Sequence, residues 1–106
     1  MNVAIELLDM PLRGTMTFRT LPILIGRHPA ADVRLDDPAI PPYQCMIGHG
    51  VTDCLTAWNL RDDIPIRVNG QEVTKADLFP GDRLTVGKSE LIVHYEPPRG
   101  WKSLVA

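Results

Sequence analysis

The first segment of the chain alternates apolar and less apolar side chains, as a β-strand does. Val3, Ile5 and Leu7 form the apolar set, and Glu6 lies between the last two of them. A period of two places one set of side chains on one face of a strand, so the pattern predicts a half-buried strand over residues 3–8.

The rest of the chain predicts further short strands separated by turns. Asn69-Gly70 lies between two short strand-like runs, and both residues tolerate the positive φ angles of a type I′ turn. Pro80-Gly81 predicts a second tight turn. About nine to eleven short strands with turns every 8–12 residues are typical of a β-sandwich or barrel. The sequence therefore predicts an all-β fold.

Two cysteines, Cys45 and Cys54, fall in neighbouring predicted strands. If these strands pair through a two-residue loop near His49, Cys45 lies opposite Cys54, and both share a buried face with Trp58. Two cysteines are too few for a disulfide framework, and their spacing matches no common metal-ligand pattern. We therefore expect reduced core thiols and a core tryptophan.

Composition narrows the class of protein. A chain of 106 residues suits one domain, and ten prolines with eight glycines exclude long helices. A net charge of −2 argues against a protein that mainly binds nucleic-acid phosphate or anionic lipid. No apolar run approaches the roughly 20 residues that span a bilayer, and the start lacks a secretory signal. We expect a cytoplasmic protein with no nucleic-acid or membrane partner.

No group of residues in the sequence predicts catalysis or metal binding. His28, His49 and His94 are scattered, with no pair at a ligand spacing on one element. A thiol in a core strand is inert, and the paired aspartates are typical of turns. We expect no enzymatic activity, no metal and no cofactor.

An ordered set of short motifs between about Val3 and Tyr95 resembles the forkhead-associated (FHA) domain. The motifs are Ile25-Gly26-Arg27, Ala31-Asp32-Val33-Arg34-Leu35-Asp36-Asp37-Pro38, Val68-Asn69-Gly70 with Val73, Leu78, Gly81-Asp82 and Val86-Gly87. The resemblance implies a SMAD/FHA-like sandwich of two antiparallel sheets with about eleven short strands over residues 1–96. Residues 97–106 would be a tail or linker. It also implies a peptide-binding surface in the loops at one end, which in most members recognises phosphothreonine.

The positions that contact phosphate in most members differ here. Arg27 corresponds to the arginine that supports the phosphopeptide. Where the family usually has Ser-Arg-x-His, this chain has Pro41, Pro42, Tyr43 and Gln44. Proline has neither a side-chain donor nor a backbone N–H, so two contacts to phosphate are lost. Gln44 replaces the histidine that usually braces the loop.

A third phosphopeptide-contact element is also altered. Counting back from Asn69-Gly70 places Asp63 and Ile64 where the family has Ser or Thr followed by Asn. A carboxylate would repel phosphate, and an isoleucine side chain cannot donate a hydrogen bond. The resemblance therefore covers the frame of the domain and not its phosphate contacts.

These observations predict a non-catalytic protein-interaction module whose binding is phosphate-independent or weakly phosphate-dependent. Its binding loops would centre on Arg27, on Pro41 to Gln44, and on Arg61 to Ile64. The partner would be a protein or peptide, or a neighbouring domain. One alternative keeps phosphothreonine recognition through Arg27 with Arg61 or Tyr43 as added donors. An alternative of another class is a β-sandwich that binds a small ligand.

Several residues keep two interpretations. Arg27 binds an anion or is a structural arginine paired with Asp32, Asp62 or Asp63, and Asp63 could itself mimic the charge of the ligand. The segment Pro41-Pro42-Tyr43 is either an apolar docking patch or a stiffened loop. Trp101 packs on the sandwich or contacts a partner.

Overall fold

The computed structural model describes residues 2–9, 13–51 and 54–96, so Trp101 and the predicted tail lie outside the described residues. The regular elements within these ranges are eleven strands. They are β1 (Val3–Leu7), β2 (Gly14–Phe18), β3 (Ile23–Gly26), β4 (Val33–Arg34), β5 (Cys45–His49), β6 (Leu55–Asn59), β7 (Ile66–Val68), β8 (Gln71–Val73), β9 (Lys75–Leu78), β10 (Arg83–Val86) and β11 (Ser89–Tyr95).

The strands form two packed sheets. One has six strands in the order β2-β1-β11-β10-β7-β8, and the other has five in the order β4-β3-β5-β6-β9. The β3–β4 pair is parallel, whereas the other pairs with a defined register are antiparallel. The predicted all-β sandwich with about eleven strands is therefore confirmed.

The hydrophobic core lies between the two sheets. In β1, Val3, Ile5 and Leu7 are buried while Ala4 and Glu6 are half-buried, as their alternation predicts. Leu91 and Val93 of β11 follow the same period and are fully buried. No helix in the described ranges has the length and apolar character to cross a membrane.

The predicted hairpin at Asn69-Gly70 is confirmed. Val68 pairs with Gln71, and the two turn residues have φ angles of 52° and 85°. The Asn69 side chain also accepts a hydrogen bond from the Arg83 amide (3.0 Å) and donates one to Asp82 (3.1 Å). This turn is thereby tied to the start of β10.

The predicted pairing of the two cysteines is wrong. β5 ends at His49 and β6 begins at Leu55, so the connection is longer than two residues and Cys45 lies opposite Asn59. Both cysteines are nevertheless free and buried, as expected. Burial raises the pKa of the Cys45 thiol to about 12, so this thiol is inert.

The register also moves Trp58 out of the predicted core. Trp58 pairs with Met46, while Ile47 pairs with Ala57 on the buried side. A one-residue change of register reverses which face a strand buries. The indole is half-buried on the outer face of its sheet, with the Lys75 ammonium 5.9 Å from the ring centroid.

The Tyr95 hydroxyl connects the two sheets. It donates to the Leu78 carbonyl and accepts a hydrogen bond from the Leu55 amide (3.3 Å), while its own strand belongs to the opposite sheet. Burial raises the pKa of this phenol to about 12.

A buried carboxylate fixes the long connection between β4 and β5. Asp37 is 4% exposed and accepts hydrogen bonds from the amides of Ala39 (2.9 Å) and Lys88 (3.1 Å). These bonds, with that from Ala39 foremost, lower the pKa of the carboxyl. Gly87 has a φ of 59°, and a Cβ there would lie 2.4 Å from an Asp37 oxygen. The turn after β10 therefore needs glycine to approach this loop.

We expect Tyr95→Phe to reduce the free energy of unfolding by about 1–3 kcal/mol, because it leaves a buried carbonyl and a buried amide without a partner. Urea denaturation measures this, and Tyr43→Phe is the control. The tyrosine contribution is full below pH 10.0, the ordinary pKa, and is lost as the pH rises toward about 12. The variant should lack that alkaline loss. Equal stability of Tyr95→Phe and wild type would contradict this role.

We expect Asp37→Asn to reduce stability by about 1–3 kcal/mol at pH 7, because an amide offers only one oxygen to the two N–H donors. The folded-state pKa lies below 3.8, so the contribution is present above that pH and is lost as the pH falls through the folded value. The gap between variant and wild type should therefore close in acid. Thermal unfolding between pH 2 and 7 measures this, with the exposed neighbour variant Asp36→Asn as control. A gap that persists in acid would contradict the assignment.

Candidate functional site

Three connections meet at one end of the sandwich: residues 27–32, 35–44 and 60–65. The Arg27 amide donates to the Pro41 carbonyl (3.3 Å), and the His28 amide donates to the Pro42 carbonyl (3.1 Å). A Cβ on Gly26 would lie 1.9 Å from the Pro42 oxygen, so only glycine allows the first two connections to approach. The structure thus brings together the three groups of residues that the sequence predicts as binding loops.

Arg27 is exposed and is oriented by the neighbouring loop. Its Nε donates to the Ile40 carbonyl (3.0 Å), and neither terminal nitrogen of the guanidinium has a hydrogen-bond partner among the described residues. Within residues 2–9, 13–51 and 54–96, Arg27 forms no ion pair. Asp32 instead accepts from the Leu24 amide (2.8 Å). The interpretation of Arg27 as the partner of a nearby aspartate is therefore wrong.

The segment Pro41-Pro42-Tyr43 presents a partly apolar surface beside Arg27. Pro41 is buried, Pro42 is exposed, and Tyr43 is half-buried. The Tyr43 ring stacks on His28, with centroids 5.3 Å apart and an interplanar angle of 20°. His28 Nδ1 accepts a hydrogen bond from the Ala30 amide (2.9 Å), which fixes the imidazole. The result is a small rigid patch of ring and proline surface.

Gln44 lies inside the site and braces it. Its side chain is fully buried, and Nε2 donates to Asn59 Oδ1 (2.6 Å) and to the Ile64 carbonyl (3.0 Å). Asn59 Nδ2 donates to the same carbonyl (2.7 Å). Because Gln44 has no exposed surface, its contribution is to hold the third connection and not to touch a partner. Among the described atoms, Gln44 Oε1 has no hydrogen-bond partner.

Asp63 pairs with Arg61 and not with Arg27. Arg61 donates to both carboxylate oxygens, at 3.1 and 2.9 Å, and both side chains are largely exposed. The hydrogen bonds from Arg61 lower the pKa of Asp63. The hypothesis that Asp63 mimics a ligand anion against Arg27 is therefore not met in this geometry. Ile64 contributes its carbonyl to the brace and offers no side-chain donor.

Arg27 lies next to the apolar surface of the site. Among the described residues of the three connections, it is the arginine that has no acidic partner. The backbone N–H groups of Arg27 and His28 are already used within the loops, and the two prolines supply none. The arrangement therefore offers a partner the Arg27 guanidinium beside a surface of stacked rings and proline.

Sequence reasoning missed three contributors: His28, Asn59 and the Ile40 carbonyl. Asn59 lies at the end of a strand, where its side chain can accept from the Arg61 amide (3.1 Å). The position of Asn59, a polar residue at the end of a buried strand, could have predicted its contribution to the site. The stack of His28 on Tyr43 joins residues fifteen positions apart in the chain, so no local sequence pattern predicts it. In the described part of the chain, no group of three His, Cys, Asp or Glu side chains could hold a metal ion.

Comparisons with known proteins agree with this architecture. The family model of the FHA domain matches residues 23–87. An FHA domain solved in a study of phosphothreonine-dependent interactions is 27% identical, with a TM-score of 0.77 over 92% of this chain and 99% of that chain. The FhaA FHA domain, solved with the intracellular domain of Rv3910, is 27% identical, with a TM-score of 0.74 over 87% of this chain and 99% of that chain.

A more distant likeness concerns the fold alone. The N-terminal FHA domain of S. cerevisiae Rad53p, solved with a phosphothreonine peptide, is 17% identical, with a TM-score of 0.78 over 91% of this chain and 94% of that chain. No curated protein sequence matches the chain significantly. The family model covers more than half of the 106 residues. The chain therefore belongs to the FHA-domain family.

Proposed function

We propose that this protein is a non-catalytic interaction module that docks a protein partner through the loop end, with weak or no dependence on phosphate. The docking surface consists of Arg27, His28, Pro42, Tyr43 and the exposed Arg61–Asp63 pair, braced from below by Gln44. One observation carries the proposal: Arg27 keeps an exposed, oriented guanidinium while both neighbouring donor positions are prolines whose carbonyls are used inside the loops.

The small free energy that a phosphate group would gain by binding at this site supports weak dependence on phosphate. Recognition of a phosphorylated residue combines a guanidinium with several neutral donors on rigid loops. Among the described residues of the three connections, Arg27 is the arginine whose charge is not already paired, since Arg61 is paired with Asp63. A single exposed ion pair contributes about 0–1 kcal/mol. That corresponds to a preference for the phosphorylated peptide of about fivefold or less.

The apolar part of the surface supports a protein partner. Pro42 and the stacked rings of Tyr43 and His28 are held by backbone hydrogen bonds, so little conformational freedom is lost on binding. Rigid aromatic surface beside an arginine is the usual composition of an interface hot spot. The Arg27 guanidinium would then pair with a carboxylate or a carbonyl of the partner.

A small-ligand site has less support. An apolar groove lined by Leu21, Pro22, Met46, Gly48, His49 and Trp58 has a volume of about 260 Å³. Ligand pockets usually hold about 300–1,000 Å³. This apolar groove lies on the outer face of a sheet, away from the braced loops. A larger groove of about 480 Å³ is lined by Asn59, Asp62, Pro65, Glu72, Val73, Thr74 and Lys75, of which five are polar, whereas ligand pockets are lined mainly by apolar side chains.

We expect titration with a degenerate phosphothreonine peptide library to show at most about a fivefold preference over the unphosphorylated library. Arg27→Ala should remove this small preference, because the Arg27 guanidinium is its source. Arg83→Ala, which removes an exposed positive charge from the outer face of a sheet, is the matched control. Fluorescence anisotropy at fixed moderate salt measures the affinities. Strong phosphate selectivity that disappears with Arg27→Ala, and not with Arg83→Ala, would overturn the phosphate-independent part of the proposal.

The protein-docking part is tested separately. Partners obtained by cross-linking in the native cell and then purified should lose at least about fivefold in affinity with Tyr43→Ala, because truncation of a central aromatic residue typically costs more than about 1 kcal/mol. Arg83→Ala should leave the affinity unchanged. If variants in all three loops leave the affinity of every partner unchanged, the loop end is not the docking surface.

Phosphothreonine recognition through Arg27 and Arg61 together is the second candidate. The observation in its favour is that the Arg61–Asp63 pair is exposed and lies on the connection that Gln44 braces, so Arg61 can exchange partners. We expect Asp63→Asn to raise the affinity for a phosphothreonine peptide by less than about threefold under the main proposal. A gain of tenfold or more that is lost again in Asp63→Asn with Arg61→Ala would favour the second candidate. Calorimetric titration measures both.

A further inference from the structure

The edge of the six-stranded sheet at β2 is open in the described part of the chain. β2 has β1 on one side and no described strand on the other. An edge strand presents a row of unpaired N–H and C=O groups, which can pair with another extended chain. Which groups of β2 face outward can be derived from the pairing of its neighbours.

The hydrogen bonds of β1 alternate between its two neighbours. The Leu8 amide donates to the Glu90 carbonyl (3.0 Å), one step beyond the pair formed by Leu7 and Leu91. Bonded and non-bonded pairs alternate along an antiparallel ladder. Residues of β1 at even positions therefore bond to β11, and those at odd positions, such as Ile5, bond to β2.

The same alternation fixes the outward groups of β2. Ile5 lies opposite Met16, so the backbone groups of Met16 are bonded to β1. The N–H and C=O groups of Thr15 and Thr17 must then point toward the open edge. Both threonine side chains are exposed, while Met16 and Phe18 are half-buried and pack against the core.

β2 has none of the usual protections of an edge strand. Its five residues, Gly14–Phe18, contain no charged residue and no proline. Two of the other three edges are very short, since β4 has two residues and β8 has three. The last edge, β9, has exposed Lys75 and Asp77. Charges, prolines and short length are the devices that keep edges from pairing.

Arginines flank β2 at both ends. Arg13 and Arg19 are exposed, and neither forms an ion pair or a side-chain hydrogen bond with any described residue. Six residues of extended chain place them about 20 Å apart. In an antiparallel pair of two β2 strands centred on Met16, Arg13 of each copy would lie opposite Arg19 of the other. Like charges placed opposite each other are destabilising, so the edge disfavours a second copy in this register.

We propose that the β2 edge binds an extended segment of a partner protein as a seventh strand, and that this segment is β-branched or apolar in its centre and acidic at both ends. Thr15 and Thr17 supply the backbone hydrogen bonds, Met16 and Phe18 pack against its inward side chains, and Arg13 and Arg19 pair with its terminal carboxylates. Addition of a strand to a sheet edge is an established mode of peptide recognition. The edge shares no residue with the proposed docking surface, so this inference does not rest on the proposed function.

Hydrogen exchange in the full chain tests the open edge first. The amides of Thr15 and Thr17 should exchange at least about tenfold faster than that of Met16, which is bonded to β1. Saturation with the probe peptide Glu-Val-Thr-Val-Thr-Val-Glu should slow both threonine amides to the rate of Met16. Threonine amides that are already slow in the free chain would overturn the proposal, because the edge would then be covered by the chain itself. A concentration-dependent dimer in sedimentation, with the same protection, would overturn it in favour of a second copy.

A charge swap tests the chemistry of the partner. The wild-type protein should bind the probe about tenfold more tightly than the same peptide with lysine at both ends, since two exposed ion pairs are exchanged for two repulsions. Arg13→Glu with Arg19→Glu should reverse the preference, and Arg83→Ala, which removes an exposed arginine from β10 of the same sheet, should leave it unchanged. Thr17→Pro, which removes an outward N–H without breaking the ladder to β1, should abolish binding. Equal affinity for both peptides, or binding that survives Thr17→Pro in a folded variant, would overturn the proposal.

Discussion

The arrangement of the loop end depends on one buried amide side chain. The Gln44 backbone amide donates to Ile25 of β3 (2.9 Å), and its carbonyl accepts from Leu60 after β6 (2.9 Å). Its side chain holds Asn59 and Ile64 at the same time. A buried polar group with partners costs little, whereas one without partners is destabilising. This set of hydrogen bonds ties the end of β6 and the third connection to β3 and to the start of β5.

This brace holds the loop end of the FHA domain through hydrogen bonds that do not involve the exposed residues of the proposed docking surface. A glutamine supplies two N–H donors from one nitrogen, so it can bind a side chain and a backbone carbonyl together. Gly26 and Pro42 complete the frame through a backbone approach that admits no Cβ. Neither contact needs the hydroxyl, arginine or asparagine that most members use toward phosphate. Support of the loops and contact with the ligand are thus separate properties of this end of the domain.

The loop end and the β2 edge differ in the groups that they present to a partner. The loop end presents rings, proline and an oriented guanidinium on a fixed backbone. The β2 edge presents backbone hydrogen-bonding groups between two arginines. Side chains determine recognition at the first surface, whereas main-chain hydrogen bonds and end charges determine it at the second. Because they lie on different parts of the sandwich, one chain could use both in the same assembly.

The amino-acid sequence by itself determined the class of fold and the positions of several strands and turns. The period of two in β1 and the Asn69-Gly70 pair depend only on residues close together in the chain, and each is where it was predicted. The ordered motifs also predicted which three connections form the loop end. Local patterns suffice for such features because turn geometry and strand faces are set by neighbouring residues.

Only the tertiary structure decided the register of β5 with β6 and the partners of the site residues. The length of their connection put Asn59 opposite Cys45 and moved Trp58 to the outer face. Arg27 donates to the Ile40 carbonyl and not to a carboxylate, while Asp63 pairs with Arg61, two residues before it in the chain. These outcomes depend on contacts between segments distant in sequence, where a shift of one residue reverses a face and a few ångströms exchange one partner for another.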